Sequence, residues 1–160
     1  MYKIVFVCTG NTCRSPMAEG ILNKVLQDAG YDDVHVSSAG IGTLDGYPAT
    51  PYAVEIAKRH NVDISQHHST RMNEFLFKQA DLILAMAKNH YEHLDDFPDA
   101  SQKLYMLKAF PQTNSADARH SVEDPLGGTL EEYKVTYQEI EQEIKRALPE
   151  IIRRINHRKS

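Results

Sequence analysis

The stretch "VFVCTGNTCRSP", residues 5–16, decides the fold. It closes a continuous apolar run, "KIVFV" (3–7), whose β-branched and aromatic residues predict a strand buried on both faces of a parallel sheet. The run stops at Cys8 and passes through small and polar residues to Arg14, Ser15 and Pro16. Ser15 is an N-cap residue type, and Pro16 suits a first helical position. Met17, Ile21, Leu22, Val25 and Leu26 then follow helical spacing as far as Gly30, which predicts the helix C-cap. The unit is strand, tight loop, helix.

The same alternation continues outward. "DVHVSSAG" (33–40) predicts a second strand, "TPYAVEIAKRH" (50–60) a helix capped by Thr50, and "MNEFLFKQA" (72–80) another helix. "DLILAMA" (81–87) is again a fully apolar strand; "KNHYEHL" begins a helix after it, and "KLYML" (103–107) is the fourth strand. From Leu130, the residues Tyr133, Tyr137, Ile140, Ile144, Leu148, Ile151 and Ile155 define a long amphipathic helix that Pro149 should bend or restart. Strands alternating with helices imply right-handed βαβ units and helices on both faces of one sheet. Ligands in such sheets sit beyond the carboxyl ends of the strands, where topology puts the cysteine loop. No repeat or linker divides residues 1–160, so one domain is expected.

Composition excludes several function classes. The apolar fraction of 41% and charged fraction of 25% are those of a soluble globular protein. A net charge of −4 offers nucleic acid no global basic field. The basic tail "RRINHRKS" (153–160) reads as a solvated helix end whose cations suit the helix dipole. The 2 cysteines both lie in the opening stretch and make no disulfide scaffold. The chain starts with no signal-peptide apolar region and contains no run long enough to span a membrane, so a cytoplasmic monomer with reduced thiols is expected.

A phosphate seated in the loop would face successive backbone N–H groups of Thr9, Gly10, Asn11, Thr12, Cys13 and Arg14, the opening of a helix, and the Arg14 guanidinium. Gly10 and Asn11 tolerate the left-handed backbone of a tightly curled loop. The same positive field should depress the Cys8 thiol and make it a thiolate placed for in-line attack on phosphorus. Cys13 lies five residues on, and where the curled loop brings the two sulfurs within reach it is expected to capture an oxidised Cys8 as a reversible protective disulfide. No G-x-x-x-x-G-K-[ST] occurs, so this is not the loop of a nucleotide hydrolase.

The segments "VCTGNTCRSPMAEG" (7–20), "SSAG" (37–40), "DISQH" (63–67), "ADLILAM" (80–86) and "EDPLGG" (123–128) together resemble the low-molecular-weight protein tyrosine phosphatases over essentially the whole chain. The resemblance implies an α/β, flavodoxin-like three-layer sandwich around a four-stranded parallel sheet, with no metal and no organic cofactor. It implies hydrolysis of protein-bound phosphate through a cysteinyl-phosphate intermediate, with inorganic phosphate as product or inhibitor. Cys8 would attack, Arg14 would hold the phosphoryl group, and Asp124 would protonate the leaving atom and then activate water. Because Asp124 must first carry that proton, a mildly acidic to neutral optimum is expected. Ser15 would donate to the Cys8 sulfur, and Asn11, Ser38 and His67 would hold the loop in shape. Adjacent His68 rivals His67 for that place. The other histidines carry no motif and are expected to face solvent.

The sequence departs from the tyrosine-specific pattern at Thr12, where a bulky aliphatic is common, and at Leu126, where aromatics follow Asp-Pro. Leu44, in "GIGTLDG" (40–46), stands near the place of a further aromatic wall, and Tyr47 is another residue of that region. A bacterial branch of the family acting on phosphoarginine has threonine at the Thr12 position. A threonine hydroxyl and the Asp124 carboxylate can pair with a guanidinium that a β-branched aliphatic would leave unsatisfied. Thr12 therefore favours phosphoarginine, with phosphotyrosine as the alternative. Thiol-linked arsenate reductases share the C-x5-R loop, but no cysteine follows Cys13 to receive a disulfide, which leaves only a form using an external thiol. A mere phosphoprotein-binding module would be expected to lack Cys8, Arg14 or the acid, and all three are present.

Overall fold

The computed structural model describes residues 1–159. Four strands, β1 (Tyr2–Cys8), β2 (Val34–Gly40), β3 (Leu82–Ala85) and β4 (Leu104–Met106), form one parallel sheet in the order β2-β1-β3-β4. This is the strand order of flavodoxin-like sheets, whose chain reverses direction across the sheet between β1 and β3. Six helices connect and cover the strands: α1 (Arg14–Asp28), α2 (Pro51–Arg59), α3 (Glu74–Gln79), α4 (Lys88–Leu94), α5 (Ala100–Lys103) and α6 (Leu130–Lys159).

Alternation along β1 sorts the core into two layers. Ile4, Phe6 and Cys8 pack with Met17 and Leu22 of α1, Ile56 of α2, and Tyr137, Ile140 and Ile144 of α6. Val5 and Val7 face the other way, towards Phe77 of α3 and Tyr91 and Leu94 of α4. Burial on both faces is why this strand reads as an unbroken apolar run. It also places the Cys8 end of β1 at the carboxyl edge of the sheet, at its switch point.

Several predicted boundaries move for identifiable reasons. Helix α1 begins at Arg14 with Cys13 as its N-cap, not at Pro16 behind a Ser15 cap, because the Ser15 hydroxyl is engaged with the Cys8 sulfur. At its other end Ala29 is the C-cap, and Gly30 follows with φ 84, the left-handed turn that lets the Tyr31 N–H reach the Leu26 carbonyl. Helix α3 starts at Glu74, not Met72, behind an Asn73 cap whose side chain accepts from the Leu76 N–H. Helix α6 runs unbroken through Pro149, since Ile144, Ala147, Ile151 and Ile155 bury one continuous face across it. The short α5 and two 3-10 turns, Leu107–Ala109 and Ala118–His120, are additions to the predicted elements. The basic tail ends α6 and is only partly solvated, since Ile155 is buried, Arg154 lies over the Tyr105 and Phe110 rings and Arg158 pairs with Asp81; Ser160 lies outside the described residues. No described helix is long and apolar enough to cross a membrane.

Candidate active site

The loop after β1 is built around Asn11, whose φ of 55 lies in the left-handed region and whose side chain is fully buried. Glycine would adopt that backbone more readily, but the Asn11 side chain is used. Its Nδ2 donates to Ser15 Oγ at 2.8 Å and to Ser38 Oγ at 2.9 Å, while its Oδ1 accepts from the Thr70 N–H at 2.8 Å. The Asn11 carbonyl accepts from His67 Nε2 at 2.7 Å, and its N–H points at Cys8 Sγ at 3.3 Å. Such a fully satisfied buried network fixes one loop conformation. His68, the rival, is exposed.

The network also sets directions. Ser15 Oγ lies 2.8 Å from Cys8 Sγ and already accepts from Asn11, so its own hydrogen is free to donate to the sulfur. Ser38 in turn donates to Glu19 Oε1 at 2.7 Å. Glu19 went unread in the sequence; its signal is a position one helical turn beyond Ser15 on α1. Gly40 allows β2 to approach the loop, because a Cβ there would come within 2.5 Å of the Thr9 carbonyl.

The Cys8 thiol departs from expectation. Burial pushes it above the ordinary range, against the opposing pull of the Ser15 hydroxyl and N–H, the Arg14 charge and the Asn11 N–H. The expected depression counted the positive groups and omitted desolvation, which dominates for a sulfur whose residue is only 2% exposed.

Arg14 is buried, and its Nη1 donates to the Val122 carbonyl at 2.9 Å. Its Nη2 stands 3.5 Å from Asp124 Oδ2, so the cation bridges the loop and the late Asp-Pro segment. Asp124 Oδ1 accepts from the Leu126 N–H at 3.0 Å, and the Gly128 N–H closes on the Pro125 carbonyl at 2.8 Å. Gly127, at φ 80, supplies the turn between them. Cys8, Gly10, Asn11, Thr12, Cys13, Arg14, Asp124 and Leu126 line one small cavity. Leu44 does not join it: with Tyr47 and Arg71 it lines a neighbouring depression, tied to the loop by Ile41 and Gly42 N–H groups donating to the Cys8 and Thr9 carbonyls.

Cys8 and Cys13 are both free thiols, and the Cys13 sulfur lies 3.3 Å from Tyr133 Oη and 3.4 Å from Thr50 Oγ1. Three histidines expected in solvent are buried or half-buried, among them His120, whose Nδ1 is buried. His60 stacks on Tyr137 with ring centroids 4.4 Å apart, and His90 is fully buried, its Nε2 2.8 Å from Thr9 Oγ1. The available signal for His90 was its place in the first turn after β3, whose carboxyl end shares an edge with Cys8. Among the described residues, no group of three or more His, Cys, Asp or Glu side chains could hold a metal ion.

Residues 3–158 match the family model described as "Low molecular weight phosphotyrosine protein phosphatase". A protein-arginine-phosphatase of Bacillus subtilis is 38% identical over 140 residues, 87% of this chain and 89% of that one. The crystal structure of a low molecular weight protein tyrosine phosphatase from T. tengcongensis superposes with a TM-score of 0.83 at 39% identity, covering 94% of this chain and 99% of its own. A YwlE arginine phosphatase mutant with a phosphorylated active site serine superposes with a TM-score of 0.82 at 36% identity, covering 94% and 95%.

Proposed function

The chain belongs to the low molecular weight phosphotyrosine protein phosphatase family and is therefore a hydrolase acting on phosphorylated protein, and we propose that it works through a cysteinyl-phosphate intermediate on Cys8 with phosphoarginine as its substrate. One arrangement carries the reading of the chemistry. A cysteine sulfur at the floor of an amide-lined loop accepts from Ser15, while Arg14 links the loop to Asp124 across the cavity.

In the first step the Cys8 thiolate attacks phosphorus, the S–P bond forms, and the bond to the leaving nitrogen or oxygen breaks as Asp124 gives that atom its proton. Arg14 and the loop N–H groups stabilise charge on the phosphoryl oxygens. Forming the thiolate in so buried a place is the cost the loop must offset, and Ser15, Asn11 and Arg14 are the groups that do so. In the second step Asp124 takes a proton from water, the water oxygen bonds to phosphorus, and Cys8 leaves as a thiolate stabilised by Ser15. Inorganic phosphate is then product and competitive inhibitor. On the same reading the chain is a cytoplasmic monomer needing no cofactor, and Cys13 shields an oxidised Cys8 as a disulfide.

The substrate rests on Thr12. Thr12 lines the Cys8 cavity with Asp124 and the aliphatic Leu126, and no aromatic residue is among those lining it. A hydroxyl and a carboxylate suit guanidinium donors, whereas ring stacking for a phosphotyrosine is lacking there. The relative from Bacillus subtilis that bears the name protein-arginine-phosphatase supports the same choice. Phosphotyrosine is the second reading, supported by the relatives named tyrosine phosphatases. The test is a paired assay of phosphoarginine and phosphotyrosine proteins with wild type and Thr12→Ile. Thr12→Ile is expected to lower the phosphoarginine rate relative to the phosphotyrosine rate by about 10-fold or more; an unchanged ratio removes the argument for phosphoarginine.

A further inference from the structure

His90 belongs to neither the phosphate loop nor the acid segment, yet it touches the first and sits beside the supports of the second. Its ring is fully buried on α4, Nε2 lies 2.8 Å from Thr9 Oγ1, and Nδ1 is buried with no hydrogen-bond partner among the described residues. An orphaned buried N–H is rarer and costlier than an unfilled lone pair, so the ring proton is assigned to Nε2, which donates to Thr9. Burial, and then the positive charge of Arg14, hold the imidazole down at about 3, so the ring is neutral.

Residues 86–90 carry a second set of ties. The Met86 carbonyl accepts from the Val122 N–H at 2.7 Å, and the Lys88 N–H donates to Ser121 Oγ at 2.9 Å. Both partners form the stem of the segment that ends in Asp124. The Val122 carbonyl in turn accepts from Arg14 Nη1 at 2.9 Å. One short segment after β3 therefore holds the stem of the acid segment through two hydrogen bonds and the nucleophile end of the loop through one, from His90.

We propose that His90 is a positioning residue: through Thr9 it pins the phosphate loop to the same segment that holds the stem of Asp124, keeping nucleophile and acid in register. The inference rests on the reading of Cys8 as nucleophile and Asp124 as acid. The phosphate cradle has its own supports in Asn11, Ser15 and His67, so losing the His90 tie should spare anion binding and impair proton delivery to the leaving atom.

The experiment compares kcat/KM for phenyl phosphate, which needs a proton donor, with p-nitrophenyl phosphate, which needs one less. Inorganic phosphate inhibition serves as the measure of the cradle. His90→Leu is expected to lower kcat/KM for phenyl phosphate about 10- to 100-fold, with a clearly smaller loss for p-nitrophenyl phosphate and inhibition close to wild type. His90→Gln should recover much of the loss, because its amide N–H can take the place of Nε2–H. Thr9→Val should reproduce the pattern and add little to His90→Leu, and it stands as the test if His90→Leu does not fold. Equal losses on both esters, weakened phosphate inhibition, or additive effects of the two substitutions would overturn the proposal. Asp124→Asn separates the two levels. If it shows no leaving-group dependence, the parent reading fails; if it does and His90→Leu does not, only the role of His90 fails.

Discussion

The phosphate loop and the acid segment meet across one cavity but are built in opposite ways. In the loop, Asn11 is fully buried and its side chain and carbonyl are partnered with Ser15, Ser38, Thr70 and His67. In the acid segment the Asp124 side chain is 43% exposed, Leu126 is 61% exposed, and the cross-cavity tie is a 3.5 Å ion pair. Breaking a buried network strands donors and acceptors at full desolvation cost, whereas a solvent-screened ion pair contributes little to stability. On the proposed function, the contrast separates two tasks. An anion cradle needs fixed dipoles, because their value lies in being oriented before charge develops. A proton donor must exchange protons with water between steps, and exposure serves that.

Substitutions in the two regions test this contrast. The largest effect is expected at the nucleophile: Cys8→Ser should reduce hydrolysis of every phosphoester or phosphoarginine substrate by about 10⁴-fold or more while the chain still folds, as steady-state rates and thermal unfolding would report. Next, Asp124→Asn should lower kcat/KM by about 10²- to 10⁴-fold for substrates with poor leaving groups and much less for p-nitrophenyl phosphate. A uniform loss across leaving groups would mean that Asp124 serves binding instead. The smallest effects are on stability and compare the two regions directly. Asn11→Ala should cost about 3 kcal/mol in urea denaturation, because it strands buried partners. Leu126→Ala, at the exposed tip, should stay within about 0.5 kcal/mol of wild type. Similar losses at both positions would erase the distinction.

Much of this was legible in the sequence, and the reasons differ by element. β1 is readable because burial on both faces leaves no polar position in "IVFV" (4–7), and the turn at Asp-Pro-x-Gly-Gly because proline fixes φ while glycine admits the left-handed backbone. The start of α1 was misplaced because Ser15 is a capping residue by type but spends its hydroxyl on Cys8, a tertiary contact. Pro149 does not restart α6, because local propensity yields to the buried face of the helix. Leu44 was expected at the site and lies in the adjoining depression, since linear proximity to "SSAG" does not say which way a loop turns. His90 was hidden by distance: its partner Thr9 is 81 residues away, so no local pattern marks it. The raised Cys8 thiol is hidden for the same kind of reason, because charges can be counted along a chain while desolvation exists only once the loop is packed.

The central claim is that phosphate passes through the Cys8 sulfur. Rapid denaturing quench of Asp124→Asn during turnover of a phosphorylated substrate, followed by mass spectrometry of the loop peptide, tests it directly. A phosphoryl group is expected on Cys8 before phosphate release, and on no residue of the loop peptide in Cys8→Ala. An unmodified Cys8 throughout turnover, with hydrolysis persisting in Cys8→Ser, would contradict it.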